Sequence, residues 1–185
     1  MTSAARPRPK LSHIGIYVRD MDRMLDFYRK VFGFVVSDQG HGTAMPIQLV
    51  FLTADPTMHH QLVLASGRPD EATFSTVNQL SFTVQDLDEL RDIRRRLVDN
   101  GATDLLNINH GNAWSVYADD PENNRIEVYL DSPFYVPQPH FDELDLTMSD
   151  EDILTQTEEV CRRDAGFMLR EDWQKSIAQQ LENDT

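Results

Sequence analysis

Three polar side chains that can bind a ligand stand at related places in this sequence: His13, Gln79 and Glu127. An imidazole, an amide and a carboxylate all carry lone pairs, and the imidazole and the carboxylate can also take up a proton. His13 and Gln79 are each the second residue of two similar segments, SHIGIYVRDMDRM and NQLSFTVQDLDEL. The matched places of these polar groups indicate one site rather than unrelated solvated residues.

An internal repeat relates the two segments. Its offset of 66 residues also maps Phe51 onto Tyr117 and Gln61 onto Glu127. The surrounding text agrees, because FLTADPTMHHQLVL and VYADDPENNRIEVYL both read as a turn with Asp-Pro followed by an apolar strand. A second match at one register predicts a duplicated module. In each hairpin we expect cross-strand neighbours, with Phe51 facing Gln61 and Tyr117 facing Glu127.

Each copy is predicted to fold as a βαβββ unit. Alternating apolar residues indicate strands, and apolar residues at helical spacing indicate one helix per copy. The first copy reads as a strand at 12–18, a helix at 20–32 and strands near 34–38, 46–53 and 60–66. The second copy reads as a strand at 78–84, a helix at 87–99 and strands near 104–108, 113–119 and 125–131.

Strand parity assigns the polar residues to one face. Side chains alternate between the two faces of a strand. Apolar residues such as Ile14 and Ile16 are expected to pack on the helices, which leaves His13 on the opposite face. The same parity puts Gln79 and Glu127 on that face. The predicted fold class is therefore α+β, with two tandem βαβββ modules forming a curled mixed sheet cup and a C-terminal helical tail.

The domain organisation follows from the repeat and from the charge distribution. We predict an N-terminal arm at 1–10, a first module at 11–68, a second module at 76–133 and an acidic C-terminal extension at 134–185. The segment 140–185 holds 13 Asp or Glu against 4 Lys or Arg. Two helices are expected in the extension, one with Ser149 as its N-cap and one at 171–182 with Trp173, Ile177 and Leu181 on one face.

Composition narrows the possible partners. The formal net charge of -14 argues against a nucleic-acid partner and against an anionic membrane surface. Cys161 is the single cysteine, which favours a reducing compartment. Neither a secretory signal nor an apolar run long enough to span a bilayer is evident. We expect a cytoplasmic protein that forms a homo-oligomer.

The doubled module resembles the vicinal oxygen chelate superfamily, which includes glyoxalase I, fosfomycin and bleomycin resistance proteins, methylmalonyl-CoA epimerase and type I extradiol dioxygenases. More narrowly, it is similar to single-domain enzymes of the 2,3-dihydroxybiphenyl 1,2-dioxygenase type. Three stretches carry the resemblance and cover most of residues 10–135: SHIGIYVRDMDRMLDFYRKVFGF, FLTADPTMHHQLVL and HGNAWSVYADDPENNRIEVYLDSP.

The resemblance implies roles for individual residues. His13 and Glu127 match metal ligands, and Gln79 stands where the family has its second His ligand. His60 matches an acid–base residue near bound oxygen, although a bulge would be needed to turn it inward. His110 and Tyr117 match residues that hydrogen-bond substrate hydroxylates. From their place in HGNAW, Asn112 and Trp114 are expected to line the mouth of the substrate pocket, with packing within the strand as the alternative for Trp114. The implied cofactor is Fe(II), or another divalent metal such as Mn, Ni or Zn, and the implied partners are a small aromatic substrate and O2.

Gln79 leaves the reaction open. Its amide oxygen is a weaker donor than an imidazole nitrogen, so iron retention or metal preference should change. Extradiol ring cleavage of a catechol-like aromatic is one interpretation. A glyoxalase-type isomerase, epimerase or lyase is the alternative, with Gln61 as an additional ligand because it is the repeat partner of Glu127. The third is a metal-free small-molecule binding or resistance protein.

Overall fold

The computed structural model describes residues 7–43 and 46–183, so the expected N-terminal arm lies mostly outside the described residues. The two copies of the repeat fold as similar units. The first contains β1 (Ile14–Val18), α1 (Met21–Phe32), β2 (Val35–His41), β3 (Gln48–Thr53) and β4 (Leu62–Ser66). The second contains β5 (Leu80–Thr83), α2 (Leu87–Asp99), β6 (Thr103–Asn109), β7 (Ala113–Asp119) and β8 (Arg125–Asp131).

The C-terminal extension adds three short strands and two helices. They are β9 (Phe134–Tyr135), β10 (Asp142–Glu143), α3 (Asp150–Cys161), β11 (Met168–Leu169) and α4 (Arg170–Asn183). Ser149 is the N-cap of α3 and its hydroxyl accepts from the backbone N–H of Asp152, as the sequence predicts. Within the described ranges, none of the four helices is long and apolar enough to cross a membrane.

Each module forms a mixed four-stranded sheet with the same strand pattern. The orders are β1-β4-β3-β2 and β5-β8-β7-β6, and β10 extends the second sheet by pairing with β6. In both sheets the first strand runs parallel to the last one, and the other pairs are antiparallel. This arrangement confirms the predicted fold class.

Capping residues fix the ends of the module helices. Asp20 and Asp86 are the N-caps of α1 and α2, and each carboxylate accepts a backbone N–H three residues on. Gly33 ends α1 with a φ of 70°, a left-handed conformation that glycine adopts without a steric cost. Both helices pack on the apolar faces of the strands, and one hydrophobic core spans the two modules.

A buried carboxylate ties the second module to the first. Glu122, in the turn between β7 and β8, accepts from the backbone N–H of Arg19 at 2.7 Å and of Asp20 at 2.8 Å, just before α1. The guanidinium groups of Arg19 and Arg68 lie 3.8 Å and 3.7 Å from the same carboxylate. An anion at the N-terminus of a helix is stabilised by the helix dipole. The turn therefore fixes the position of α1 relative to the second sheet.

The register of the first hairpin corrects one expectation. Phe51 faces Val63 across β3 and β4, and not Gln61. The second hairpin pairs Tyr117 with Glu127, as predicted. Counted from Phe51 and from Tyr117 to their cross-strand partners, the connection between β3 and β4 is two residues longer than the one between β7 and β8. The residue of the first module that corresponds to Glu127 is therefore Val63 and not Gln61. The parallel pairs agree, because Gly15 pairs with Val63 where Ser81 pairs with Glu127.

Candidate functional site

Glu127 is the centre of a hydrogen-bonded cluster on the inner face of the second sheet. Its side chain lies on β8 and the residue is 8% exposed. Tyr117 Oη donates to Glu127 Oε1 at 2.6 Å, and Ser115 Oγ donates to the same oxygen at 3.0 Å. Gln79 Nε2 and Ser81 Oγ donate to Oε2 at 2.6 and 2.7 Å. Four donors use the lone-pair sites that a carboxylate offers.

Tyr117 connects this carboxylate to His110. The phenol oxygen lies 3.1 Å from His110 Nε2, and the two rings meet edge to face. Burial, followed by the hydrogen bond and the charge of Glu127, raises the pKa of Tyr117 well above its ordinary value. The phenol therefore keeps its proton at neutral pH. Its oxygen contacts both groups, but its one proton can be donated to only one of them at a time.

His13 and His60 form the second half of the site, on the first module. Their ring centroids lie 4.2 Å apart, and the ring of Phe51 lies 5.1 Å from that of His60. His60 lies two residues before the start of β4, so strand parity does not govern its direction and no bulge within the strand is needed. Desolvation, with smaller contributions from His13 and His59, lowers the pKa of His60. His60 Nδ1 also lies 2.8 Å from His59 Nδ1.

A cleft joins the two halves at the seam between β1 and β5. Its volume is about 400 Å³, and its polar lining comes from Ser12, His13, Gln61, Gln79 and Ser81. Beyond this cleft, the inner face differs in polarity between the two modules. The first module presents Phe51, Val63 and Ala65, whereas the second presents hydroxyl, amide and carboxylate groups. A ligand with both an aromatic ring and hydroxyl groups would match these two surfaces.

Trp114 lies away from the site, which corrects the expectation that it lines the pocket. It is on the opposite face of β7 from Ser115 and Tyr117, is 5% exposed and belongs to the hydrophobic core. Its indole N–H donates to Thr157 Oγ1 of α3 at 2.8 Å. Asn112 does lie beside the site, in the turn after His110, and its Oδ1 accepts from Gln138 Nε2 at 3.2 Å.

Gln61 has a structural partner of its own. Its Oε1 accepts from the backbone N–H of Ala54 at 2.9 Å, which closes the connection between β3 and β4. The position equivalent to Glu127 in the first module is occupied by Val63, whose side chain offers no lone pair. The reason for expecting a fourth ligand at Gln61 was its repeat relation to Glu127, and the register removes that reason.

The environment of the Glu127 carboxylate favours a bound divalent cation. Glu127 is buried, and within residues 7–43 and 46–183 no Lys, Arg or His forms an ion pair with it. A buried carboxylate without a counter-ion is costly, and a cation beside it would offset that cost. Among those residues no group of three or more His, Cys, Asp or Glu could hold a metal ion. The candidate set has only two such residues, His13 and Glu127, and an amide is its third member.

Strand parity also predicts that two further residues, Ser81 and Ser115, belong to the hydrogen-bonded cluster around Glu127. No role follows for them from the sequence motifs. Ser81 shares the face of Gln79, two residues on, and Ser115 shares the face of Tyr117, two residues before. Both hydroxyls reach Glu127 because their backbone positions pair with β8. No sequence signal pointed to Gln138 and His140, which contact His110 from the C-terminal extension.

Comparison with known proteins agrees with this architecture. The family model of the Glyoxalase/Bleomycin resistance protein/Dioxygenase superfamily matches residues 10–128. Two curated relatives are both from Rhodococcus globerulus. Biphenyl-2,3-diol 1,2-dioxygenase 2 is 27% identical over 67% of this chain, and the match spans 64% of that relative's length. Biphenyl-2,3-diol 1,2-dioxygenase 3 is 29% identical over 72% of this chain and 69% of its own length.

Solved structures share the fold at lower identity. A glyoxylase/bleomycin resistance protein/dioxygenase domain from Frankia sp. EAN1pec has a TM-score of 0.57 at 21% identity, covering 68% of this chain and 99% of that one. The fosfomycin resistance protein FosX from Listeria monocytogenes, complexed with Mn(II) and sulfate, has a TM-score of 0.52 at 19% identity. That match covers 68% of this chain and 95% of the FosX chain. Both likenesses concern the fold alone.

Proposed function

Because the chain belongs to the glyoxalase/bleomycin resistance protein/dioxygenase superfamily, we propose that it is a metal-dependent extradiol dioxygenase acting on a catechol-like aromatic. One observation carries the proposal: the His110–Tyr117–Glu127 chain and the His13–His60 pair lie on the inner faces of the two modules. The names of the two biphenyl-2,3-diol dioxygenase relatives support it.

His13, Gln79 and Glu127 would hold the metal, which we take to be Fe(II). Gln79 would turn its amide by half a turn, so that Oε1 rather than Nε2 points toward the cation beside Glu127. Ser81, Ser115 and Tyr117 would then remain as donors that orient the carboxylate. Fe(II) held there would supply the Lewis-acid and redox chemistry that the reaction of the substrate with O2 requires.

The side chains around this position divide the remaining work. His110 and Tyr117 would receive the substrate hydroxyl groups by hydrogen bonding. Phe51 and Val63 would contact the aromatic ring, since they form the apolar side of the inner face. His60 would accept and return a proton, because its lowered pKa keeps the imidazole neutral at physiological pH. In the overall reaction one ring carbon–carbon bond breaks, both atoms of O2 enter the product, and no external reductant is consumed.

An anaerobic binding experiment tests the recognition part of this proposal. Protein loaded with Fe(II) is titrated with 2,3-dihydroxybiphenyl and with the same compound methylated on both oxygens. We expect saturable binding of the diol and no measurable binding of the dimethyl ether, because the ether cannot donate to His110 or Tyr117. Equal affinity for both compounds, or binding of neither, would overturn the proposal.

A further inference from the structure

The C-terminal extension encloses the turn that carries His110. Strand β10 pairs with the end of β6, with Asp142 opposite Asn109. Gly111 has a φ of 72° and no room for a side chain, because an added Cβ would lie 2.5 Å from Val136 Cγ2 and 3.0 Å from Cys161 Sγ. The extension is thus in close contact with the backbone beside a residue of the proposed site.

One contact from the extension reaches the imidazole itself. His110 Nδ1 lies 2.8 Å from the backbone carbonyl oxygen of His140. A carbonyl oxygen can only accept, so this contact is a hydrogen bond when Nδ1 carries the proton. In the neutral ring the other nitrogen, Nε2, then bears a lone pair, and this nitrogen lies 3.1 Å from Tyr117 Oη.

Gln138 holds the two chain segments at this spacing. Its Nε2 donates to the carbonyl oxygen of His110 at 2.8 Å and to Asn112 Oδ1 at 3.2 Å. Its Oε1 accepts from the backbone N–H of His140 at 3.1 Å. The single amide therefore spans from the His110 turn to the residue whose carbonyl contacts the ring. Loss of the Gln138 amide would remove its hydrogen bonds to the His110 turn and to the backbone of His140.

We propose that the extension is a positioning part of the site, in which the His140 carbonyl fixes the neutral tautomer of His110. The imidazole carries its proton on Nδ1, and Nε2 presents its lone pair to the substrate. Tyr117 has a single proton, so its hydroxyl donates either to this lone pair or to Glu127 Oε1. His110 is then a hydrogen-bond acceptor on its pocket side. The substrate group beside it must be a donor, such as a hydroxyl, and an ether or carbonyl oxygen is rejected there. The substrate statement rests on the proposed function, whereas the tautomer does not.

Nitrogen-15 NMR of the imidazole rings tests the tautomer without metal or substrate. Long-range ¹H–¹⁵N spectra of labelled wild type, assigned by comparison with His110→Gln, are recorded at a pH where the ring is neutral. We expect a protonated Nδ1 and an unprotonated Nε2 in the wild type. In Gln138→Ala the population should shift toward the proton on Nε2, and Gln180→Ala, a change on the exposed face of α4, should leave the wild-type pattern.

The wild-type spectrum decides the matter even if Gln138→Ala does not fold. A wild-type His110 with its proton on Nε2 would overturn the proposal, and so would a folded Gln138→Ala with an unchanged tautomer. Kinetics give the second readout in Fe(II)-loaded protein: Gln138→Ala should lower kcat by about tenfold while KM changes less. Absence of dioxygenase activity in the wild type would contradict the proposed function and leave the NMR result standing, so the two failures are distinguishable.

Discussion

Tyr117 faces Glu127 across the β7–β8 hairpin with Oη 2.6 Å from Oε1, whereas the equivalent pair of the first module is Phe51 and Val63. The two modules share one backbone plan, but only the second has a phenol and a carboxylate at this pair. At this pair the inner face of the cup is therefore polar in the second module and apolar in the first. A cup with one polar and one apolar surface can orient a ligand that has a polar end and an apolar end.

The phenol hydroxyl of Tyr117 is the first group to test. Tyr117→Phe keeps the ring but removes the hydroxyl that donates to Glu127 and contacts His110. A hydrogen bond to a charged group contributes about 1.5–3 kcal/mol, so we expect kcat with a catechol to fall by about 10- to 100-fold. Steady-state oxygen uptake measures this change.

Tyr135→Phe is the matched control for that experiment. Tyr135 stacks on Trp173 in the extension, outside the site, and the variant retains the stacking ring. Its kcat should equal that of the wild type. Equal kcat in Tyr117→Phe would show that the Tyr117 hydroxyl has no part in the reaction.

Gln79 should set the metal preference. An imidazole nitrogen suits Fe(II), whereas an amide oxygen suits Mn(II) relatively better. Gln79→His is therefore expected to raise the affinity for Fe(II) by about tenfold, and with it the ratio of the Fe(II) affinity to the Mn(II) affinity. Gln79→Ala should weaken the binding of both metals. Competitive metal titration followed by elemental analysis measures these affinities.

Gln61 provides the comparison for the metal titration. Gln61→Ala should leave both affinities at the wild-type values, since its Oε1 is bound to the backbone of Ala54. Weaker metal binding in Gln61→Ala, with Gln79→Ala unaffected, would reverse the assignment and favour an isomerase or lyase with Gln61 as ligand. Retained ligand affinity without any metal would favour a binding protein.

The Glu122 carboxylate should contribute to the stability of the whole chain. Glu122→Gln keeps the shape but removes the charge that accepts from the N–H groups of Arg19 and Asp20. We expect a loss of about 2 kcal/mol in the free energy of unfolding and a Tm lower by about 5 °C. Thermal unfolding compares it with Glu151→Gln, an exposed change on α3 that should shift Tm by less than about 1 °C. Equal Tm values for the two variants would contradict a stabilising role of the contacts between Glu122 and the residues before α1.

Asp120 should give stability a dependence on pH. It accepts from the buried Tyr28 hydroxyl at 3.0 Å, and burial raises its pKa above 3.8. Because the folded pKa lies above the unfolded one, its contribution is complete below about pH 4 and is lost as pH rises through the folded pKa. The stability advantage of wild type over Asp120→Asn should therefore shrink as pH rises from about 4 through the folded pKa of Asp120. Urea unfolding at several pH values measures it, and an advantage that grows with pH would contradict this assignment.

The sequence predicted the elements well because each is specified locally. The helix at 87–99 and the strand at 125–131 have the observed bounds, since capping residues and alternation fix them within a few residues. The facing of Tyr117 and Glu127 followed from a short, regular turn. The pairing of Phe51 with Gln61 failed because the longer connection before β4 shifts the register by two, and no propensity encodes loop length.

The site was less predictable where it depends on distant segments. The position of Trp114 near His110 in sequence predicts that it lines the pocket, but its side chain lies on the opposite face of β7 and contacts Thr157 of α3. The contact between His140 and His110 joins residues that are 30 positions apart through an irregular segment. Backbone carbonyls carry no residue signature, so a positioning group of that kind becomes visible only in three dimensions.

The central claim is ring cleavage by O2, and oxygen uptake tests it most directly. Anaerobically Fe(II)-loaded protein, with iron content verified, is mixed with 2,3-dihydroxybiphenyl or catechol in air-saturated buffer while absorbance is followed. The proposed function predicts one O2 consumed per yellow ring-opened product formed, with the rate greatly reduced in His60→Ala. No oxygen uptake with either compound, despite demonstrably bound iron, would contradict it.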